Sequence, residues 1–203
     1  MEQDGNETIK DINGGVYSSD GKCLLKFTGV NADGKYVAEY RIENKCEVIN
    51  PHAFDGCHYI SKVILPSSVK EIGESAFANC TSLRVIEGAD YLEKISSSAF
   101  YYCISLQELV FSDKIVEIEP YTFYGCRGLK RITGLKSVFS IGDYAFCGCT
   151  DLLEITMPAE YVRIGVNAFE GCDGLPIEIK NTIVIWREKT MEKKVDDTSS
   201  YIK

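Results

Sequence analysis

The chain has 203 residues, is 45% apolar and carries a formal net charge of −8. That apolar share is enough to fill a core and excludes wholesale disorder. The acidic balance, with no Lys- or Arg-rich stretch before the C-terminal tail, excludes a phosphate backbone as partner, and the lack of any run of about 18 apolar residues excludes a transmembrane helix.

Met1 to Lys10 (MEQDGNETIK) is polar and acidic and does not read as a signal peptide. Either the protein stays in the cytosol or a secretion signal is absent from this chain. Val16-Tyr17, a turn at Ser18 to Gly21, and Cys23 to Phe27 read as a β-hairpin. A second turn at Asn31 to Gly34 leads into Lys35 to Ile42. Residues 1–48 are therefore expected to form a β-hairpin cap and an incomplete first turn that blunt an open sheet edge.

From Ile49 onward a single period governs the chain. Phenylalanine recurs at positions 54, 77, 100, 123, 146 and 169, each 23 residues after the last. Five residues before each stands an isoleucine, from Ile49 and Ile72 through to Ile164. Six residues after each comes Ile60, Leu83, Leu106, Leu129, Leu152 or Leu175, and three after each a cysteine: Cys57, Cys80, Cys103, Cys126, Cys149, Cys172. The residue before Phe is alanine in every copy but one, which has Thr122. A fixed period of this length is the signature of a solenoid whose turns contact only their neighbours.

Within a turn, runs such as Leu106, Leu109, Phe111 and Leu152, Ile155, Met157 show the alternation of a strand with one buried face. Pro66 and Pro158 end two of these strands, where a missing N–H costs least. Equivalent strands of stacked turns then pair in parallel, roughly 4.8 Å apart. Before the first full turn, Val37, Tyr40 and Ile42 hold the strand sites of a turn whose Phe position is occupied by Asn31. After the last, Glu178 and Lys180 replace the apolar strand residues, and Ile183, Ile185 and Trp186 are expected to supply a closing strand. The layout is a cap over 1–48, six 23-residue repeats with the closing strand over 49–186, and a charged tail over 187–203, read as a frayed helix or a disordered segment.

Read as I-G-x-x-A-F-x-x-C-x-x-L-x-x-I-x-φ-P, the period resembles the BspA-like type of leucine-rich repeat. Ile141-Gly142-Asp143-Tyr144-Ala145-Phe146-Cys147-Gly148-Cys149-Thr150-Asp151-Leu152 lies close to the family pattern, and the resemblance covers residues 49–175. It implies a repeat solenoid, a right-handed curved stack with short parallel β-strands, here with an N-terminal β-hairpin cap. It also implies a surface or secreted protein of a host-associated microbe, adhering to an extracellular host protein. A cytoplasmic location is the alternative.

The cysteine ladder invites a metal or redox reading, since stacking places neighbouring Cα atoms about 5 Å apart, within disulfide range. Metal sites, however, need ligands converging on a point, and a ladder spreads them along a line. The reading adopted is structural: a small buried hydrophobe in every turn, with the thiols reduced. Cys147 falls outside that register and reads as an incidental surface thiol. His52, His58 and Cys46 make a nominal Cys/His cluster with no second cluster to complete a zinc module. No nucleophile elbow, zinc helix or phosphate loop is present, so no catalytic residue, metal or cofactor is assigned.

Tyrosine is the one informative enrichment. Tyr101 and Tyr124 share the site after Phe in consecutive turns, Tyr121 and Tyr144 share the site two before it, and Tyr102 sits beside them. Stacking is expected to merge these five into one aromatic patch, the candidate ligand-binding site. The competing reading is that they fill gaps along the solenoid rim. The outward strand positions (Lys62, Val85, Glu108, Arg131, Glu154 and Ile64, Glu87, Val110, Thr133, Thr156) carry mixed charges and mark out nothing. The expected function is a monomeric, non-catalytic module that binds a protein ligand, without nucleic acid or membrane insertion. The alternative is a spacer or stalk with no ligand of its own.

Overall fold

A strict 23-residue spacing places every Phe over the Phe of the turn before it. In the computed structural model, which describes residues 7–158 and 160–199, those rings form one continuous column. Centroids step 4.6 Å from Phe54 to Phe77, then 5.3, 5.5, 5.1 and 5.1 Å on to Phe169, with near-parallel planes. The five rings from Phe54 to Phe146 are fully buried and Phe169 is half-buried. Phe27, 4.9 Å from Phe54, starts the column in place of the Phe that the leading turn lacks.

β1 (Ile9–Lys10), β2 (Gly15–Tyr17) and β3 (Cys23–Phe27) form an antiparallel unit. β3 then pairs in parallel with the first repeat, so the expected hairpin caps the stack. β4 (Glu39–Arg41) is the surviving strand of the incomplete turn, with Tyr40 opposite Val63. Each full turn then supplies two strands. They are β5 (Val48–Ile49) and β6 (Lys62–Ile64), β7 (Glu71–Ile72) and β8 (Val85–Glu87), and β9 (Lys94–Ile95) and β10 (Glu108–Val110). β11 (Glu117–Ile118) and β12 (Arg131–Thr133) follow, then β13 (Ser140–Ile141) and β14 (Glu154–Ile155), and β15 (Arg163–Ile164) alone in the last turn. One sheet runs β4-β6-β8-β10-β12-β14; the other strands stack as β5-β7-β9, headed by β3 of the cap, and as β11-β13-β15. The result is a parallel-strand β-solenoid of about six turns.

The expected closing strand is corrected. Ile177–Ser199 is an α-helix, α1, which crosses the boundary placed at residue 186. Pro176 sets its entry, its carbonyl accepting the Lys180 N–H at 3.0 Å. Ile183, Trp186 and Thr190 are buried and Ile179 half-buried, so the 4-3-4 spacing of 179, 183, 186 and 190 points one helical stripe at the last turn. A strand would have faced Ile183 and Ile185 the same way, yet Ile185 is exposed. The tail is therefore helical to Ser199; residues 200–203 and 1–6 lie outside the described residues.

The cysteine ladder is more than a run of small hydrophobes. Each buried thiol donates to the carbonyl of the Phe one turn back: Cys80 to Phe54 at 3.1 Å, Cys103 to Phe77 at 3.0 Å and Cys126 to Phe100 at 3.0 Å. Cys149 and Cys172 reach Phe123 and Phe146 at 3.1 Å. Half-buried Cys57, against the cap, reaches Phe27 only at 4.0 Å. A thiol is small enough for the packed column and still satisfies a buried carbonyl. All nine cysteines are free.

Burial pushes the thiols up, Cys126 to about 12 and Cys57 to about 11, with Cys103 and Cys149 well above the ordinary value. A raised folded value means the stability is fully present below the ordinary thiol value of about 9 and is lost as the pH climbs toward about 12. At pH 8 a thiol reagent is expected to modify at most Cys23, Cys57 and Cys147 of the folded protein, and all nine thiols in denaturant. The unfolding midpoint should fall on going from pH 8 to pH ~10.5; a flat profile would mean the ladder is not held neutral by burial.

The N-terminal cap is locked by a buried polar chain. Tyr17 and Tyr40 hydroxyls lie 2.6 Å apart, and Tyr40 donates to Asp11, whose carboxylate also accepts the Asn13 and Gly15 N–H groups at 2.8 Å. Burial raises both phenols, Tyr17 to about 12. Two glycines shape the longer sheet. Gly88 and Gly134 follow β8 and β12 with φ of 82° and 84°, and a Cβ at Gly134 would lie 1.9 Å from the Phe111 carbonyl oxygen.

Candidate functional site

Each turn passes through left-handed backbone on both sides of its Phe. Two residues before it stand His52, Ser75, Ser98, Tyr121, Tyr144 and Asn167, with φ between 52° and 59°. Two residues after it stand Gly56, Asn79, Tyr102, Gly125, Gly148 and Gly171, with φ between 55° and 77°. The arch between these points donates three N–H bonds forward, at alternate residues, to the next turn. From turn three they run Ser98 to Pro120, Phe100 to Thr122 and Tyr102 to Tyr124, at 3.1, 2.9 and 2.8 Å. Phe points inward from the arch and the small residue before it is buried as well, while the residue after it is at least partly exposed in every turn but the second, where Ala78 is buried.

The five candidate tyrosines lie on this outer surface in mutual contact. Tyr101 stacks on Tyr124 with centroids 5.2 Å apart, and Tyr121 on Tyr144, also at 5.2 Å. Tyr102 meets Tyr101 and Tyr124 edge-on at 4.8 and 5.6 Å, and Tyr121 links the two stacks through Tyr124 at 5.9 Å. Tyr121 is 39% exposed and the other four are half-buried. Tyr102 next to Tyr124 is the chief cause of an upward shift in the Tyr124 phenol.

The turn does not require tyrosine at these sites. Equivalent positions hold Ser, His or Asn two before Phe, Ala78, Asp55, Cys147 or Glu170 one after it, and Gly or Asn79 two after it. Tyr102, Tyr121 and Tyr144 occupy left-handed backbone, which costs a residue with Cβ roughly 1–2 kcal/mol. That cost belongs to the repeat, since Ser75, Ser98, Asn79 and Asn167 share the same backbone. The Tyr102 ring also covers Gly125, where an added Cβ would stand 3.1 Å from it.

Sequence reasoning overlooked a second aromatic pair. Tyr36 and Tyr59 stack with centroids 3.9 Å apart and are 64% and 58% exposed. They share one register, 23 residues apart, but the leading turn has Asn31 where its Phe anchor would stand, which hid the match. The outward strand face is laced with ion pairs, Lys62 to Glu87 at 2.6 Å and Arg131 to Glu154 at 2.8 Å. Exposed pairs of this kind contribute little. The Cys/His trio is dispersed: His52 lies 3.3 Å from Asp55, His58 lies 3.3 Å from Thr81, and buried Cys46 donates to Val48. No group of three potential metal ligands occurs among the described residues. No helix among them is long and apolar enough to cross a membrane.

Comparison with known proteins agrees with this geometry. The BspA type leucine rich repeat region matches residues 47–176 in six copies, more than half of the chain. A leucine rich cell surface protein from Faecalibacterium prausnitzii A2-165 is 28% identical with a TM-score of 0.67, covering 86% of this chain and 53% of its own. This chain thus spans about half the length of that protein. A leucine rich repeat protein of T. pallidum is 25% identical with a TM-score of 0.60, covering 89% of this chain and 96% of its own. The pneumococcal vaccine antigen PcpA, 20% identical with a TM-score of 0.51 over 85% of this chain and 36% of its own, speaks to the fold alone. No curated protein matches.

Proposed function

The chain belongs to the BspA-type leucine-rich-repeat family, and we propose that it is a protein-binding module whose ligand docks on the tyrosine face of turns three to five. Repeats of this family are typical of protein-interaction and surface proteins, and their solenoids typically serve as non-enzymatic scaffolds. The module acts as an adhesin-like protein at the cell surface or in secreted form, as a monomer, on an extracellular host protein. Its F. prausnitzii likeness, named as a cell surface protein, supports that location.

One observation carries the reading: five contiguous, solvent-accessible tyrosines at positions where the repeat elsewhere is content with Ser, Asn, Asp or Gly. Tyr supplies broad contact area at low rotamer cost and is enriched in binding hot spots. The rigid stack beneath keeps the ordering cost on association small.

The test is a screen of the purified protein against immobilised extracellular-matrix and plasma proteins, beside the Tyr101→Ser/Tyr124→Ser variant. The variant should keep its circular dichroism and lose about 30-fold or more in affinity, the effect of truncating a single hot spot. Wild-type binding that the folded variant retains would remove the tyrosine face from the account. Absence of binding to every protein in the panel would favour a spacer.

A further inference from the structure

The last turn has no successor, and α1 closes only part of its edge. On the strand side, Thr190 Oγ1 accepts the Ile164 N–H at 3.2 Å, lies 2.7 Å from the Tyr161 hydroxyl and donates to the Trp186 carbonyl at 2.9 Å. The arch is left open. In each of the five preceding turns the three arch N–H groups reach carbonyls of the next turn at 2.7 to 3.1 Å. In the last turn they belong to Asn167, Phe169 and Gly171, and none finds an acceptor among the described residues. They line a cavity of about 400 Å³ between the arch and α1, with half-buried Phe169 on its floor and exposed Val184 at its wall.

We propose that this groove binds an extended polypeptide segment of a partner protein, whose main-chain carbonyls take the place of a seventh arch. The acceptor class follows from the repeat. Three donors at alternate residues each meet a separate carbonyl in every earlier turn, and a peptide main chain offers carbonyls at that spacing. A single anion would need the donors to converge on it. Lys180 and Arg187 at the rim are offset by Glu170 and Asp173, so the groove has no cationic bias. A second copy of the solenoid is blocked because α1 occupies the place of a further strand. The exposed side of Phe169 continues the aromatic column, so the segment should carry an aromatic residue between small ones, as Ala76-Phe77-Ala78 does. The groove adjoins the tyrosine face where Asn167 Nδ2 donates to the Tyr144 hydroxyl at 3.5 Å, but it works through main-chain donors and stands or falls independently of Tyr101 and Tyr124.

A synthetic peptide copying Lys70–Asn79 (KEIGESAFAN) is a suitable probe, because the carbonyls of Glu74, Ala76 and Ala78 already accept the arch of turn one at 3.0, 2.7 and 2.8 Å. Titrated into isotopically labelled protein, it should shift the amide resonances of Asn167, Phe169 and Gly171 and slow their hydrogen exchange. Affinity is expected at about 10⁻⁴ to 10⁻³ M, given the ordering cost of a free peptide. Replacing the peptide's Phe by Ser should weaken binding about tenfold, a loss of roughly 1.4 kcal/mol. Val184→Trp, at an exposed helix position, should block binding without unfolding the chain, and the Tyr101→Ser/Tyr124→Ser variant should bind as wild type. Inorganic phosphate should shift none of the three amides. The proposal is overturned if millimolar peptide moves no resonance, if the shifts fall elsewhere, or if phosphate reproduces them.

Discussion

Phe100→Ala is expected to lower the unfolding free energy by about 3–5 kcal/mol, the range for truncating a fully buried aromatic side chain. Phe100 has no solvent exposure and touches a ring on each side, at 5.3 and 5.5 Å. The cavity would be walled by Phe77 and Phe123, which are held by their own turns and cannot close on it. In a solenoid the damage spreads along one dimension, because each turn is stabilised mainly through its two neighbours. Phe169→Ala provides the comparison. That ring is half-buried and stacks on Phe146 alone, at 5.1 Å, so its removal should cost less than half as much. Denaturant titrations of both variants measure the difference. Equal losses would mean that stacking on two sides adds nothing to burial.

Gly134→Ala is the second large effect, and its origin is steric. The residue follows β12 with φ of 84°, and the added methyl group would sit 1.9 Å from the carbonyl oxygen of Phe111. A backbone atom cannot rotate away as a side chain can, so two turns of the sheet must separate. The expected loss is about 3 kcal/mol or more, of which the left-handed backbone accounts for roughly 1–2. Gly148→Ala isolates that share. Its φ is 77°, yet its Cβ would meet nothing closer than the Gly125 Cα at 3.6 Å, an ordinary contact. The difference between the two variants is the cost of the clash. A Gly134 variant no less stable than the Gly148 variant would show that the sheet yields there at no cost.

Features of the fold that repeat at 23 residues were legible from spacing alone. The Phe column, the buried Cys register, the longer strands and the contiguity of Tyr101, Tyr102, Tyr121, Tyr124 and Tyr144 all follow from equivalent sites stacking. What escaped has physical reasons. The thiol bonds join residues 26 apart, as from Cys103 to Phe77, so no comparison at the period exposes them. Strands such as Glu71–Ile72 have two residues, too few to alternate. In the C-terminal segment, Ile183, Ile185 and Trp186 suggest a strand by their β-branched and aromatic side chains. The deeper signal was the stripe of Ile179, Ile183, Trp186 and Thr190, because burying one helical face against the last turn outweighs local propensity. The identity of a ligand for the tyrosine face was never legible, since aromatic area reports that contact is favourable and not with whom.

The forward direction of the arch hydrogen bonds has a consequence for assembly. Every arch presents its N–H donors toward the next turn and its carbonyls toward the one before, so the two ends of the arch row are unlike and mutually complementary. Contacts between such ends are head-to-tail; unless their rotation closes a ring, they propagate as a filament. On this view the Tyr17–Tyr40–Asp11 lock and the Thr190 plug are terminators of polymerisation as much as caps on a core. The same polarity makes the stack a vectorial object, with a defined growing end and a defined start.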